Sequence, residues 1–410
     1  MAGNTEYDAV IIGGFGHVGL PLGIVLADAG YQVALYDTDQ GKRATIEAGR
    51  MPFMEHGAEP ILTKVIGKRL HLVNDLSEAA HSKFILITIG TPVDEYLNPK
   101  TRPILDLAEQ LIPHLRRDHC VILRSTVFPG TARRLNDFFK ERGCEVHMAY
   151  CPERIVQGYA VQELRKLPQI ISGFTETAVR CAENLFARLG VETIRVTVRE
   201  AELAKLFSNA WRYIQFAITN QFYMISVEQG ADYERIHRAI THNYERAQNF
   251  PRPGFTAGPC LLKDTMQLAA FYGNHFQIGH AAMLVNEGLP NFIISHLRND
   301  LKIELTDKRV GILGMAFKAD IDDIRDSLSY KLAKILKFHG AVTVCSDEYY
   351  KDPTFVTKEE LVATCSIIIV GVPHSSYRTL VVPEDVCLID LWGAIPHKSR
   401  GEGENLCDRE

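Results

Sequence analysis

The chain has no apolar run approaching the roughly 20 residues that a membrane span needs. Its longest, such as Cys365 to Val372, stop far short of that length. A basic excess or stripe is also missing: 45 basic residues stand against 50 acidic ones, a net charge of −5, which argues against a nucleic-acid partner. No C-x-x-C pair occurs among nine cysteines at positions 120, 144, 151, 181, 260, 345, 365, 387 and 407, so neither a zinc site, nor any other metal, nor a thioredoxin-type motif is expected. The opening residues, Met1 to Tyr7, are polar and lead straight into a strand-like run, the pattern of a chain without a signal peptide. Scattered cysteines in odd number, with no secretion signal, read as reduced thiols in the cytoplasm. Low-complexity tracts and short-period repeats are absent too. What remains is 410 residues, 46% apolar and 23% charged. That is a globular chain of two or three domains with length enough for a sizeable core, and an enzyme is the expectation.

Compact apolar runs near turn signals predict strands at Ala9–Ile12, Gln32–Tyr36, Phe84–Thr88, Val121–Ser125 and Glu145–Met148, with Gln169–Ser172 and Thr193–Val196 extending the sheet. Helical patterns fill most of the gaps, so the fold class is α/β, a parallel sheet covered by helices on both faces. From about Glu200 to Gly230 no strong breaker intervenes, and Leu203, Leu206, Phe207, Ala210, Ile214 and Ala217 recur at helical spacing. A helix of that length spans about 45 Å, long enough to join two lobes or to supply a dimer interface. A turn-rich stretch, Asn249 to Pro259, interrupts the helical region. A second α/β unit follows, with strands at Val310–Leu313, Ala341–Cys345, Ser366–Gly371 and Val386–Asp390, a helix at Ser327–Phe338, and a polar tail from Lys398. The layout is two Rossmann-like parallel-sheet domains joined by a long central helix and a helical middle: residues 1–199, 200–300 and 301–410.

The glycine loop Gly14-Phe15-Gly16-His17-Val18-Gly19 follows the first strand and opens a helix at Leu20–Ala29. In that context the first glycine permits a tight turn, the second lets backbone approach a pyrophosphate, and the third lets helix and strand pack closely. The N–H groups at the helix start then face phosphate. Asp37 ends the next strand, 18 residues after Gly19. Its carboxylate suits ribose hydroxyls and repels a 2′-phosphate, which favours NAD over NADP, with the nearby Arg43 weighing the other way.

Five further motifs follow in order: Ser125-Thr126-Val127-Phe128-Pro129-Gly130-Thr131; Pro152-Glu153-Arg154-Ile155; Ala201-Glu202-Leu203-Ala204-Lys205 with Asn209; Pro253-Gly254 leading to Cys260 and Asp264; and Gly314-Met315-Ala316-Phe317-Lys318-Ala319-Asp320 with Asp322-Asp323-Ile324-Arg325-Asp326-Ser327. Together with the glycine loop they resemble the UDP-glucose/GDP-mannose dehydrogenase family of nucleotide-sugar 6-dehydrogenases, from about residue 8 to 390. The resemblance implies oxidation of the C6 alcohol of a nucleotide-linked hexose to a carboxylate with two NAD⁺. It also implies an N-terminal NAD domain, a dimerising central helix (hence a homodimer or higher homo-oligomer) and a C-terminal nucleotide-sugar domain.

Alcohol to acid takes two oxidations with an aldehyde between them. A thiolate retains that aldehyde as a thiohemiacetal, whose oxidation gives a thioester that water cleaves. Cys260 precedes Leu261 to Met266, read as a helix start with proline at or near its first turn, where the local potential favours a thiolate. Asp264 lies four residues on, on the same face. Lys205 and Asn209 are likewise four apart on the long helix and could stabilise alkoxide and oxyanion. The resemblance gives Lys205, Asn209 and Asp264 the reactive oxygen and a water. Glu153 follows a strand end and is expected to position or activate the hydrolytic water or relay a proton, its alternative being an ion pair with Arg154. By resemblance Thr126 contacts cofactor and water, while Thr91, in Gly90-Thr91-Pro92, lines the NAD site. Lys318 is implied at the nucleotide sugar, Arg325 on the cofactor side, and Arg246 at the sugar of a neighbouring subunit.

Gly258 counts among the substrate contacts, yet Ala257-Gly258-Pro259 stands where the family carries Gly-Gly-His or Gly-Gly-Ser, and proline stiffens the loop. Gln221 replaces the family's usual glutamate after Asn220. Pro-Glu-Arg resembles the dehydrogenases of UDP-N-acetylhexosamines more than those of UDP-glucose. Two rival readings remain: a single-oxidation hydroxyacid-type dehydrogenase, which leaves Cys260 and the C-terminal domain unexplained, and a catalytically silent nucleotide-sugar sensor.

Overall fold

A computed structural model describes residues 6–91, 93, 94, 100–256 and 258–396. The first five residues, Pro92, Ala257 and the tail that includes Lys398 and Cys407 lie outside the described residues. The chain divides into two compact units, one up to Ser208 and one from Asn209 onward. None of the eight described cysteines forms a disulfide, and among the described residues no helix is long and apolar enough to cross a membrane.

The first unit is built on an eight-stranded sheet: β1 (Tyr7–Ile12), β2 (Val33–Tyr36), β3 (Leu70–Val73), β4 (Ser82–Ile87), β5 (Cys120–Leu123), β6 (His147–Tyr150), β7 (Gln169–Gly173) and β8 (Thr193–Arg195). Their spatial order is 3-2-1-4-5-6-7-8. Alternate residues of β1 enter different cores: Ala9 and Ile11 pack on one face of the sheet, Val10 and Ile12 on the other. That is what the two-residue period of a strand produces when helices cover both faces. β1 and β4 lie side by side, and the connections leave them toward opposite edges, so the turn after β1 stands at the point where such sheets bind ligands.

Two strand expectations are corrected. β3 was not among the predicted strands; at four residues, Leu-His-Leu-Val, its apolar run is too short to stand out from its surroundings. β7 pairs with β6 antiparallel, with Ala149 opposite Gly173 and Tyr150 opposite Ser172, so the sheet is mixed rather than wholly parallel.

The long helix runs from Val198 to Glu228. Beyond Asn209 it presents two apolar faces. Ala210, Tyr213, Ala217 and Met224 are buried, while Trp211, Ile218, Phe222 and Ile225 are exposed, Trp211 at 59%. The helices Tyr233–Thr241, Leu261–Phe271 and Gln277–Ser295 follow.

The second sheet has four parallel strands, β9 (Arg309–Leu313), β10 (Val342–Ser346), β11 (Ile367–Val370) and β12 (Cys387–Ile389), in the order 10-9-11-12. Its first turn repeats the plan of the N-terminal one. Gly314 (φ +90°) donates to Ser346 O at 2.9 Å, and the N–H groups of Met315 and Ala316 both donate to Asp347 Oδ2, at 2.7 and 2.9 Å. In the first unit Gly13 (φ +81°) donates to Tyr36 O at 3.0 Å and Phe15 N donates to Asp37 Oδ2 at 3.0 Å. Asp347 also accepts from Tyr349 N and Tyr350 N, at 2.8 and 2.9 Å, and from His374 Nε2 at 3.1 Å. His374 Nδ1 accepts from Asp320 N at 3.0 Å, which assigns its proton to Nε2.

Burial alone would raise the Asp347 carboxyl, but the hydrogen bond from His374 and the backbone donors outweigh it and bring it down to about 2. A depressed acid stabilises the folded state above its unfolded value of 3.8. That stability drains away as pH falls from about 4 toward about 2, a loss of about 2 kcal/mol. Urea midpoints of the C-terminal unit measured across that interval should show this acid loss, and Asp347→Asn should flatten it.

Candidate active site

The N-terminal site begins at the glycine turn. The left-handed residue is Gly13, which the motif reading did not include; the double glycine Gly13-Gly14 was the available signal. A Cβ on Gly14 would meet the Leu35 side chain at 2.8 Å, and one on Gly19 would collide with Gly13 O. Close approach of helix and strand therefore excludes side chains at both. Thr88, just past β4, donates from Oγ1 to Ile12 O and Gly13 O at 2.9 and 3.1 Å and ties down the turn. The helix spans Gly19–Asp28, and no side chain caps it at Val18, so its first N–H groups are available to an anion. Asp37 is half-buried, and its other oxygen accepts from Asp39 N at 3.1 Å. Arg43 donates to Leu72 O and Val73 O at 2.9 and 3.1 Å and pairs with Glu47, which commits it to the end of β3. His17 packs at a tilt on Phe53 with ring centroids 3.9 Å apart and lies 3.4 Å from the Gln157 amide. Past β4 and β5, Thr91 Oγ1 donates to Thr126 O at 2.6 Å, bringing those two predicted residues together. Helix start, carboxylate and threonines supply the donors and acceptors that a dinucleotide's pyrophosphate and ribose require.

Glu153 is buried, and its ion pair is with Arg124, not with Arg154. Arg124 is itself buried; it also donates to Gln169 Oε1 at 3.1 Å and lies 4.8 Å from the Phe186 ring centroid. Glu153 Oε1 accepts from the backbone N–H groups of Arg154 and Ile155, at 2.8 and 3.2 Å. The Arg154 side chain turns instead to Pro168 O. Geometry decides the partner: the acceptor of Arg154's guanidinium lies 14 residues along the chain.

Lys205 is buried on the long helix. Glu202, one turn earlier, caps another helix: its carboxylate accepts from Gly130 N at 2.7 Å and Ala132 N at 3.0 Å, at the start of Thr131–Glu141. No motif argument found that role, since the partners lie some 70 residues away. Burial raises the Glu202 carboxyl, opposed by these two backbone donors.

In the second unit, Asn209 Nδ2 donates to Asp264 Oδ2 at 2.6 Å, and both side chains are buried. Asp264 Oδ1 makes no hydrogen bond among the described residues and has Lys263 Nζ at 3.5 Å. Cys260 is exposed and is the N-cap residue of Leu261–Phe271; Pro259 therefore stands before the helix rather than in its first turn. Arg325 forks onto Asp323 with three contacts of 2.6 to 3.0 Å. That hydrogen bonding raises its pKa against the opposing effect of burial. Gly258 (φ +99°) lies against the Phe317 ring, and Lys318, which follows Phe317 in the chain, is half-buried. Arg246 is exposed in the short turn Glu245–Ala247 and is not gathered with the others. The sequence reading also missed a cavity of about 490 Å³ lined by Arg252, His374, Arg378 and Trp392.

Removing the Glu202 carboxylate strands two backbone donors at the start of Thr131–Glu141. Glu202→Ala should therefore cost the N-terminal unit about 1–3 kcal/mol in chemical denaturation, with Glu202→Gln, which keeps one acceptor oxygen, in between.

Three family models match in succession: the UDP-glucose/GDP-mannose dehydrogenase family NAD binding domain over residues 8–190, its central domain over 199–288 and its UDP binding domain over 311–396. A UDP-N-acetyl-D-mannosamine dehydrogenase of Methanococcus aeolicus is 27% identical over 382 residues, covering 91% of this chain and 86% of that one. The Escherichia coli K12 enzyme of the same name is 26% identical over 407 residues, covering 92% and 96%. Among solved structures, UDP-D-ManNAc dehydrogenase of Pyrococcus horikoshii aligns with a TM-score of 0.85 at 25% identity, covering 96% of this chain and 97% of that chain. A UDP-glucose dehydrogenase of Pyrobaculum islandicum, at 23% identity and covering 96% and 99%, also gives 0.85 and shares the fold. Taken with the glycine turn, the buried Asn209–Asp264 pair and the N-cap thiol, these matches show that the chain belongs to the UDP-glucose/GDP-mannose dehydrogenase family of NAD-dependent nucleotide-sugar dehydrogenases.

Proposed function

We propose that this enzyme carries out the four-electron oxidation of the C6 alcohol of UDP-N-acetyl-D-mannosamine, or of a similar UDP-hexose, to the carboxylate, with Cys260 as covalent nucleophile. The observation that carries this reading is Cys260 at the N-cap of a helix whose fourth residue, Asp264, is held by Asn209. Pro-Glu-Arg at 152–154 and the names of the relatives support an N-acetylated mannose-type sugar. We assign the catalysis to the cytoplasm and the division of labour to residues 1–199 for NAD, 200–300 for the helical core and 301–410 for the nucleotide sugar.

Bound NAD⁺ supplies the acceptor for the two electrons and the hydrogen removed at each oxidation. The protein's part is to retain the aldehyde. The Cys260 thiolate attacks C6, a C–S bond forms, and the carbonyl electron pair moves to oxygen, where a proton is taken up. The thiohemiacetal loses two electrons and two protons to become a thioester. Water then breaks the C–S bond, giving the carboxylate and regenerating the thiol. The helix start lowers the cost of the thiolate. Lys205 and Asn209 hold the C6 oxygen as its charge develops. Asp264 Oδ1, with no hydrogen bond among the described residues, is the acceptor for water. With one oxygen taken by two backbone N–H groups and the other by Arg124, Glu153 serves as a fixed anion to which we give the role of orienting water.

On the cofactor side we place Gly14, Phe15, Gly16, His17, Val18, Gly19, Asp37, Thr91, Thr126 and Arg325; on the substrate side Gly258 and Lys318, with Arg246 reaching the sugar of a second subunit. The exposed stripe Trp211, Ile218, Phe222 and Ile225 supplies the homodimer contact, because covering aromatic and aliphatic surface of this kind favours association.

Purified enzyme with UDP-N-acetyl-D-mannosamine should release two NADH per sugar; a single NADH would favour the one-step hydroxyacid-type chemistry, and binding without turnover a sensor. Cys260→Ser should lower kcat at least a hundredfold, and wild-type rates from it would remove the nucleophile. Trp211→Glu should shift the assembly toward monomer in sedimentation or light scattering; an unchanged mass would place the subunit contact elsewhere.

A further inference from the structure

Asn220 is fully buried on the long helix, and every polar atom of its amide is engaged. Its Oδ1 accepts from Gly254 N at 2.7 Å, and its Nδ2 donates to Gly254 O at 3.1 Å and to Asn286 Oδ1 at 2.9 Å. Asn286, equally buried, donates in turn to Tyr213 O at 3.0 Å. A single side chain thus pairs with both the N–H and the C=O of one loop residue, as a strand partner would, and closed networks of this kind in a dry interior are rigid. Gly254 is also shut in by Trp392: a Cβ there would run into the indole ring. Trp392 is anchored by its own bond from Nε1 to Gly371 O at 3.1 Å. Five residues separate Gly254 from Cys260. Within them Phe255 and Thr256 are buried, and Gly258 N donates to Asp326 O at 3.4 Å.

We infer that Asn220 and Trp392 are positioning residues for Cys260: together they clamp Gly254 and so fix the loop that delivers the thiol to the start of its helix. They act through the 254–260 loop. Trp392 also lines the 490 Å³ cavity with Arg252, His374 and Arg378, so that cavity wall and the thiol's loop share one side chain. The inference rests on the reading of Cys260 as nucleophile, but its test reads the thiol itself.

Alkylation by iodoacetamide, followed by peptide mass spectrometry, compares Cys260 with Cys181 in one folded sample. Cys181 is partly exposed in the other unit, and its hydrogen bond to Cys120 draws its thiol down; its accessible sulfur serves as internal reference. Asn220→Asp keeps size and the acceptor for Gly254 N–H but loses the donor to Gly254 O and Asn286. It should lower the Cys260/Cys181 rate ratio at least threefold and reduce kcat about tenfold, with KM for NAD within twofold of wild type. A purely structural asparagine would lower the melting temperature and leave the ratio alone; a ratio within threefold of wild type in folded protein overturns the inference. If Asn220→Asp does not fold, Trp392→Phe is judged by the same threshold. Full activity of Cys260→Ser, by contrast, would sink the nucleophile reading without bearing on the clamp.

Discussion

The hydrogen bond of 2.6 Å from Asn209 to Asp264 is the buried contact on which the proposed chemistry of the second unit depends. It joins the long helix to the helix that begins after Cys260, and it does so between two buried polar groups that water cannot rescue. Without it a carboxylate would be left in the interior without its hydrogen-bond donor. With it, one oxygen of Asp264 is spent on structure and the other remains to accept a new hydrogen bond, one turn from the thiol. A short, desolvated contact thereby fixes the Asn209 and Asp264 side chains against each other, one turn from Cys260.

The same economy governs the glycine turns. In each sheet a left-handed glycine donates to the carbonyl at the end of the neighbouring strand, and the next N–H groups are aimed at an aspartate beyond it. The two copies then diverge. Asp37 is half-buried, with one N–H bond to each oxygen, and has acceptor capacity left for ribose. Asp347 is saturated by four backbone donors and His374, which makes it a structural anchor. One local geometry thus leaves a carboxylate with unused acceptor capacity in one sheet and makes an internal brace in the other, and the number of donors around each oxygen is the difference.

Particular residues show how far the sequence could be read. The strand-turn-helix setting of Gly14 to Gly19, the aspartate after β2 and the i, i+4 spacing of Cys260 and Asp264 were all legible, because each rests on separations of a few residues and on backbone rules that operate locally. Leu70–Val73 was not, since a four-residue edge strand carries almost no periodicity. The reversal of β7 was equally hidden: strand direction is settled by how the chain returns to the sheet, and the apolar run reads the same either way. Glu153 offered Arg154 as the adjacent cation, whereas Arg124 holds it across 29 positions of sequence. Glu202 sits in a motif that suggested chemistry, yet its partners lie at the start of a distant helix.

The amino-acid order by itself determined the alternation of strand and helix, the uninterrupted long helix and the kinds of chemical group available, because hydrophobic period, glycine at tight turns and helix-start signals are properties of neighbouring residues. Only the tertiary structure decided which polar group meets which. Pairing a buried donor with an acceptor hundreds of atoms away along the chain is a matter of three-dimensional closure, and there the cost of leaving a desolvated group alone selects Arg124 for Glu153, Asn220 for Gly254 and Asn209 for Asp264.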